Sequence, residues 1–211
     1  MGLGHNATSP ISPQGRTLSK RVASWLRMSL RDKCSLARGI LCGWLHLWQF
    51  DEHGLLLVDW GLRIRKRYGR LVAGEGVSLL HECRILLMGS QSAPAEVVIG
   101  HHTIVAGSTI SASISVRIGA HCMIARDCVI EDSNFHRIRL APGSPPSPVS
   151  APILIEDNVW IGRNCMIMKG AHIGAWCVIG AGSVVRGNIP AHSLVVGNPA
   201  RRVSWVEEWM R

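Results

Sequence analysis

A six-residue repeat between Ile155 and Val185 constrains the fold of this chain more than any other feature. Written in hexads, the stretch reads IEDNVW IGRNCM IMKGAH IGAWCV IGAGSV V. A branched apolar residue opens each hexad, and the fifth places hold compact residues: Val159, Cys165, Ala171, Cys177 and Ser183. Neither the 3.6-residue period of a helix nor the two-residue period of a simple strand gives this pattern. The chain therefore needs a fold that itself repeats every six residues.

Stacked triangular coils satisfy that requirement. Three short strands joined by tight corners make one turn of about 18 residues, and hexapeptide repeats of this kind indicate a parallel β-helix. The first residue of each hexad then points inward, the fifth lies near a corner with little room, and neighbouring coils satisfy each other's backbone groups. We predict an all-β solenoid of about five coils, preceded by a helical segment. The predicted coils begin at Ala73, Ile99, Ile118, Ile155 and Ile173.

The pattern also divides the chain into segments. Residues 1–17 are rich in Gly, Ser, Pro and Thr and are predicted to be disordered. Residues 18–69 are basic and carry helical spacing, so they are predicted to form an N-terminal helical segment. Residues 70–204 hold the hexads, and the Pro- and Ser-rich stretch 136–154 is predicted to be a protruding loop. Residues 205–211 form a C-terminal tail.

Charge and aromatic residues of the N-terminal segment point to an anionic surface. The net charge is +9, and residues 18–49 combine Lys and Arg with Trp25, Trp44 and Trp48. This combination is typical of an interfacial helix on anionic lipid. The alternative is that the segment packs on the main domain or on another subunit. The N-terminus lacks the features of a secretory signal. We expect a cytoplasmic protein, peripheral to the membrane through residues 18–49, with no nucleic-acid partner.

The cysteines are predicted to be free thiols in a reducing compartment. The chain has seven, without a CxxC pair. Five of them occupy the compact fifth place of a hexad, where a small apolar side chain fits: Cys83, Cys122, Cys128, Cys165 and Cys177. We therefore expect neither a disulfide framework nor a metal site from them.

Three motifs, VWIG, IGAGSVV and GNPAR, give the C-terminal hexads a family likeness. Over residues 70–204 the chain resembles the hexapeptide-repeat acyltransferases, and its closing segment resembles the maltose/galactoside O-acetyltransferase-like branch. The resemblance implies a left-handed parallel β-helix, acetyl-CoA as the acyl donor, and a homotrimer whose sites lie between two prisms.

His136 is the candidate general base. The resemblance implies it, because members of the family place their catalytic His after a hexad and before the loop that precedes VWIG. The residues agree, since His136 ends a regular coil and begins a loop, where functional groups concentrate. A neutral imidazole is suited to accept a hydroxyl proton near pH 7. Asp132 and Asn134 are both candidates to orient the ring.

The resemblance also implies residues that bind coenzyme A. It places Trp160 near the thioester, the backbone at Arg163 and Ala181 along the pantetheine arm, and Arg186 and Arg201 toward the nucleotide. Arg202 is a neighbour that can also reach a phosphate. Arg163 and Arg186 stand where relatives carry small polar residues.

These observations predict an acyl-CoA-dependent O-acyltransferase, and within that class an O-acetyltransferase. Its acceptor is expected to be a hydroxyl of a sugar or glycan, such as a surface polysaccharide or its precursor. One alternative is a serine acetyltransferase or another small-molecule acetyltransferase. A second is a γ-carbonic-anhydrase-like zinc enzyme, although the spacing of His81, His101, His102 and His121 does not reproduce its triad. A third is a non-catalytic β-helix that assembles partners.

Overall fold

A computed structural model describes residues 29–137, 141, 144 and 148–210. The chain divides into two compact units between Ala37 and Arg38. Helix α1 runs from Leu30 to His46 and is followed by a short 3-10 turn, Leu47–Gln49. The predicted disorder of residues 1–17 and the helical prediction for residues 18–28 lie outside the described residues.

Strands of the second unit form three sheets, one for each face of a triangular prism. Sheet A contains β1 (Glu52–His53), β4 (Gly69–Ala73), β7 (Ala95–Ile99), β10 (Ser115–Ile118), β13 (Ile153–Ile155), β16 (His172–Ile173) and β19 (Asn188–Ile189). Sheet B contains β2 (Leu56–Val58), β5 (Val77–Leu80), β8 (Ile104–Ala106), β11 (Met123–Ile124), β14 (Trp160–Ile161), β17 (Val178–Ile179), β20 (Ser193–Val196) and β21 (Arg201–Trp205). Sheet C contains β3 (Arg63–Arg67), β6 (Arg84–Met88), β9 (Thr109–Ala112), β12 (Val129–Glu131), β15 (Met166–Met168) and β18 (Val184–Val185).

Successive strands of the chain visit sheets A, B and C in turn, so three consecutive strands make one coil. Neighbouring coils pair in parallel, as Ile118 with Ile155 and Ile124 with Ile161 show. Six complete coils, β1–β3 through β16–β18, are followed by β19 and β20. Strand β21 turns back and pairs antiparallel with β20. The parallel β-helix predicted from the hexads is confirmed, with six complete coils instead of about five because the first coil is not evident in the hexads. The loop predicted over residues 136–154 ends earlier, because β13 begins at Ile153.

The core is the column of inward side chains that the hexads predicted. The hexad-opening residues from Ile155 to Val185 are all at most 1% exposed. The five cysteines at fifth places are buried as free thiols. Burying one Ile or Val side chain contributes roughly 1.5–3 kcal/mol, so the repeated column supplies the main apolar stabilisation of the solenoid.

The prediction of a helical segment over residues 18–69 is wrong beyond Gln49, because the first coil begins at Glu52. Val58 takes a hexad-opening place of that coil, in register with Leu79 of the next one. The pattern is hidden by two features. His53 stands where later coils have an apolar residue, in register with Ala73, and the large Leu56 fills a compact place.

The part of helix α1 that belongs to the second unit lies against the first coil. Cys42 is buried, and a Cβ at Gly43 would come within 2.6 Å of the Leu56 carbonyl oxygen, so this position has no room for a side chain. Trp44 and Trp48 stay exposed, at 68% and 81%. None of the helices in the described part of the chain has the length and apolarity to cross a membrane.

Candidate active site

The buried carboxylate of Asp132 organises the turn before β10. Its Oδ1 accepts the Ser113 backbone N–H at 2.7 Å, and its Oδ2 accepts those of Ile114 and Ser115 at 2.7 and 2.8 Å. Burial raises the pKa of the neighbouring Glu131 carboxyl, and the charge of Asp132 adds to the shift. Asp132 is one of two candidates to orient His136, but its carboxylate accepts hydrogen bonds from three backbone N–H groups of the turn that precedes β10.

His136 stands exposed at the corner where the chain leaves sheet C after β12. Its backbone N–H donates to the Asn134 carbonyl at 2.7 Å, and the Asn134 N–H donates to Val149. The Ser150 hydroxyl donates to that of Ser133 at 2.9 Å, which closes the base of the loop. Among the described residues, nothing hydrogen-bonds the His136 imidazole. Neither predicted orienting group, Asp132 or Asn134, therefore holds the ring in this structure.

The predicted site residues fall on two opposite sides of one prism. His136 lies at the corner between sheets C and A, which is opposite the face formed by sheet B. Trp160 lies on that face, in β14, and Arg201 and Arg202 lie in β21 at its end. Within one chain, His136 and these residues therefore lie on different sides of the prism.

The remaining residues predicted to bind coenzyme A divide between two corners. Arg163 and Ala181 lie at the corner between sheets B and C, and the Gly182 N–H donates to the Arg163 carbonyl at 2.8 Å. The Arg163 guanidinium is 3.9 Å from the Asp127 carboxylate. Arg186 does not join them, because it follows β18 at the corner that also carries His136. The structure therefore separates Arg186 from the other predicted coenzyme A residues within one chain.

An indole cluster that the sequence did not predict covers part of the sheet B face. Trp160 is 39% exposed, and its ring centroid is 6.1 Å from that of Trp209. The Trp209 Nε1–H donates to the Asn158 carbonyl at 2.6 Å. Near the end of β21, the Arg202 guanidinium lies 3.7 Å above the Trp205 ring. The predicted tail from residue 205 is therefore partly strand and partly a cover over Trp160.

A groove of about 580 Å³ follows the corner between sheets B and C on the earlier coils. Its walls carry both signs of charge, including Asp59, Asp127, Arg84 and Arg126. Asp127 connects this groove to Arg163 on the later coils.

The histidines considered for a zinc site lie at two different corners. His81 is at the corner between sheets B and C, whereas His101, His102 and His121 are at the corner between sheets A and B. His101 Nδ1 accepts the Glu75 N–H at 2.9 Å, and the rings of His102 and His121 stack on each other. In the part of the chain that the structure describes, three or more His, Cys, Asp or Glu side chains nowhere gather as a metal site would require.

Comparison with known proteins agrees with the repeat. Residues 152–187 match the family model "Bacterial transferase hexapeptide (six repeats)". A protein of Escherichia coli K12 named as the lipopolysaccharide biosynthesis O-acetyl transferase WbbJ is 36% identical over 95 residues, which cover 41% of this chain and 48% of that protein.

Two solved structures show the same architecture. The polySia-specific acetyltransferase NeuO matches with a TM-score of 0.54 and 28% identity, covering 77% of this chain and 71% of NeuO. A hexapeptide-repeat acetyltransferase of Vibrio cholerae O1 biovar eltor, complexed with acetyl coenzyme A, matches with a TM-score of 0.54 and 22% identity, covering 92% of this chain and 87% of that one.

These likenesses bear out the resemblance to hexapeptide-repeat acyltransferases and the left-handed parallel β-helix. They are local in sequence, because the aligned stretches cover between 26% and 48% of the curated relatives' own lengths.

Proposed function

We propose that this chain is an acetyl-CoA-dependent O-acetyltransferase that acts on a hydroxyl of a sugar or glycan. The observation that carries the proposal is the exposed imidazole of His136, which no other described group engages, at the corner of a hexapeptide β-helix. WbbJ and NeuO are named as O-acetylating or polysialic-acid-specific enzymes, which supports a surface polysaccharide or its precursor as the acceptor.

The chemistry requires one proton acceptor. The acceptor hydroxyl attacks the thioester carbonyl, the new C–O bond forms, and the C–S bond breaks. An imidazole nitrogen of His136 takes the hydroxyl proton during attack and returns it to the departing thiolate, giving an acetyl ester and free CoA. No metal or redox partner is needed for this balance.

The donor side is assigned to the sheet B face and its end. Trp160 offers an indole wall near the thioester, and the Arg163–Ala181 corner offers exposed backbone groups along the pantetheine arm. Arg201 and Arg202 extend from the edge of the solenoid, where guanidinium groups suit phosphate oxygens. Arg201 Nη1 donates to the Ala200 carbonyl at 2.9 Å, which holds its side chain close to the end of the last coil.

The working form is proposed to be a homotrimer. His136 and Trp160 lie on opposite sides of one prism, so closed three-fold symmetry can bring the His136 corner of one copy to the sheet B face of the next. Sedimentation at micromolar concentration should give three times the mass of one chain. A monomer that is fully active would contradict the shared site.

Two substitutions separate the proposed roles. His136→Ala should lower turnover by roughly 10²–10⁴-fold with acetyl-CoA affinity almost unchanged. Arg201→Ala should weaken acetyl-CoA binding by about 1.5–3 kcal/mol, the worth of a charged hydrogen bond, with a smaller effect on saturated turnover. His53→Ala, an exposed His on β1, is the matched control. CoA release is measured with oligosialic acid and with lipopolysaccharide O-antigen as acceptors, and acetyl-CoA binding by calorimetry. Near-wild-type turnover of His136→Ala removes that residue from the mechanism.

Mixing the two variants tests whether the site is shared. Each trimer that contains both variant chains has one interface where an intact His136 meets an intact Arg201. Random three-fold assembly of equal amounts then restores about a quarter of the wild-type sites, measured at low acetyl-CoA. If each chain carried a complete site, mixing would restore nothing.

We also propose a cytoplasmic protein that associates with anionic membrane through residues 18–49. Lys20, Arg21 and Arg27 lie outside the described residues, so the support comes from the exposed Trp44 and Trp48. Indole side chains are favoured at membrane interfaces. The full chain should float with phosphatidylglycerol vesicles, and the pair Trp44→Ser and Trp48→Ser should abolish flotation. Trp205→Ser, an exposed indole at the other end of the solenoid, is the control. Equal flotation of all three proteins would contradict the proposal.

A further inference from the structure

The corner between sheets A and B carries a column of five side chains, one from each of the last four complete coils and one from the partial coil that follows them. In each of these coils they occupy the fourth place of the hexad that begins at the end of the sheet A strand. All have a left-handed backbone, with φ between +56° and +62°: His102, His121, Asn158, Trp176 and His192. Since all five share one place in the coil and one backbone conformation, their side chains leave the corner at equivalent positions.

Ring stacking along this column is interrupted at one place. His102 stacks on His121 with centroids 5.3 Å apart, and Trp176 stacks on His192 at 6.4 Å with an interplanar angle of 10°. Between the two pairs stands Asn158, which has no ring. The backbones of adjacent coils are about 4.8 Å apart, so those of His121 and Trp176, two coils apart, are separated by about 9.6 Å, which sets the scale of the gap between their rings.

The interruption opens a cavity of about 180 Å³, lined by His121, Asn158, Trp176 and Trp209. We call it the corner slot. Trp209 forms its side wall and is held there by the 2.6 Å hydrogen bond from its Nε1–H to the Asn158 carbonyl. The slot therefore depends on the C-terminal residues as well as on the solenoid.

The walls of the corner slot combine apolar ring faces with free polar edges. The Asn158 amide and the His121 ring nitrogens make no hydrogen bond among the described residues, and neither does the Trp176 Nε1–H. The four lining residues include no carboxylate, Lys or Arg. An uncharged ligand with a flat apolar face and a hydroxylated rim matches this lining.

The dimensions favour one sugar ring. The cavity is smaller than the roughly 300–1,000 Å³ of pockets for drug-sized ligands, so it holds a single ring and not a whole nucleotide. A flat base between two rings needs only about 7–8 Å, twice the 3.5–4.0 Å contact distance between carbon atoms. A puckered pyranose with C–H groups on both faces is thicker and fills the 9.6 Å gap better, while its hydroxyls reach Asn158 and His121.

We infer that the corner slot binds one pyranose ring of the acceptor glycan. That this sugar belongs to the acceptor rests on the proposed function, whereas its binding in the slot does not. Trp209 joins the slot to the proposed donor side, because its ring lies 6.1 Å from that of Trp160. A polymer anchored by one ring in the slot can therefore present a neighbouring hydroxyl beside the donor face.

Filling the gap is the direct test. Asn158→Trp restores a ring to the column, and the backbone tolerates an indole there because Trp176 has nearly the same φ. Asn164→Trp is the matched control, since Asn164 has φ +56° at the corner between sheets B and C of the same coil. Trp176→Asn is a second variant that removes a wall without filling the space. The probes are methyl glycosides of the uncharged sugars glucose, galactose, N-acetylglucosamine and rhamnose. Adenosine is the flat-ring comparison, and the methyl glycoside of sialic acid is the charged comparison, which is not expected to bind.

Saturation-transfer NMR on the full chain without acetyl-CoA reads binding directly. We expect at least one methyl glycoside to bind wild type and Asn164→Trp, and its affinity to fall on the order of tenfold or more in Asn158→Trp and in Trp176→Asn. Glycoside binding that survives both variants, binding of adenosine alone, or no glycoside binding to wild type overturns the inference. Acetyl-CoA calorimetry on the same samples separates the two proposals, because wild type that binds a glycoside but not acetyl-CoA contradicts only the proposed function.

Discussion

Replacing Asp132 with Asn should destabilise the solenoid strongly, although the two side chains have almost the same shape. Three backbone N–H groups point at the carboxylate, one at Oδ1 and two at Oδ2. An Asn amide has one oxygen, so its best orientation keeps the two bonds from Ile114 and Ser115 and turns an NH₂ group toward the Ser113 N–H. That leaves one donor facing another donor in a buried place.

The magnitude follows from the three bonds. An unsatisfied buried donor costs about 1–3 kcal/mol, and the two remaining bonds each weaken by about 1 kcal/mol when the acceptor loses its charge. We therefore expect Asp132→Asn to lower the free energy of unfolding by about 3–5 kcal/mol. Urea denaturation at a fixed protein concentration measures it.

The control is Asp127→Asn, an exposed carboxylate whose ion pair with Arg163 spans 3.9 Å, and it should stay within about 0.5 kcal/mol of wild type. Acetyl-CoA affinity should be unchanged in both variants below their unfolding transitions. A loss smaller than 1 kcal/mol in Asp132→Asn would refute the reasoning.

Three further outcomes are expected. Ile161→Ala removes a fully buried side chain from the core column and should cost about 2–5 kcal/mol in urea unfolding, whereas a cost below 1 kcal/mol would show that the column closes around the gap. Gly76→Ala should destabilise the protein more than Gly182→Ala. Both glycines have φ +72°, which costs any Ala about 1–2 kcal/mol, but only at Gly76 would the new Cβ overlap the His102 ring. Equal melting temperatures of the two variants would contradict this crowding. The hydrogen bond from His172 lowers the pKa of Glu156 below its ordinary 4.5. The stability that Glu156 adds is therefore present above that pH and is lost as the pH falls through the lowered pKa. The difference in melting temperature between wild type and Glu156→Gln should shrink in acid, and a difference that grows there would contradict the assignment.

The sequence predicts those parts of the fold in which a residue stacks on the residue at the same hexad position of the next coil. Ile155 and Ile161 face the interior because every coil places the same hexad position there, so identity and spacing alone carry the information. The hexad pattern does not predict the first coil, because His53 and Leu56 do not fit the repeat. The positions of these two residues are set by contacts with the neighbouring coil and with helix α1. The remaining sequence signal for the first coil is Val58, which takes the same hexad-opening place as Leu79 one coil later.

The site was predictable only in part, for a related reason. His136 is predicted from the family resemblance, and the loop that interrupts the hexads after it is a supporting local signal. The role of Asp132 depends on a turn of the coil below, and Trp209 reaches Asn158 from 51 positions away. The corner column did leave a signal: the fourth places before sheet B hold His102, His121 and Trp176, bulky residues at a position that needs a left-handed backbone.

The loop before β13 has a consequence for how such a protein can change. Strand β13 pairs in register with β10, Val116 with Ile153, although residues 132–152 intervene between β12 and β13. Hydrogen bonds between coils run along the prism axis and do not depend on the length of the loop at a corner. Loop length therefore affects the free energy of unfolding only through the entropy of closing the loop. Doubling a flexible loop costs only about 0.6 kcal/mol. The length of this insertion can therefore change while the coils beneath it keep their sequence, and a chimera that carries a relative's insertion tests whether the coils fold unchanged.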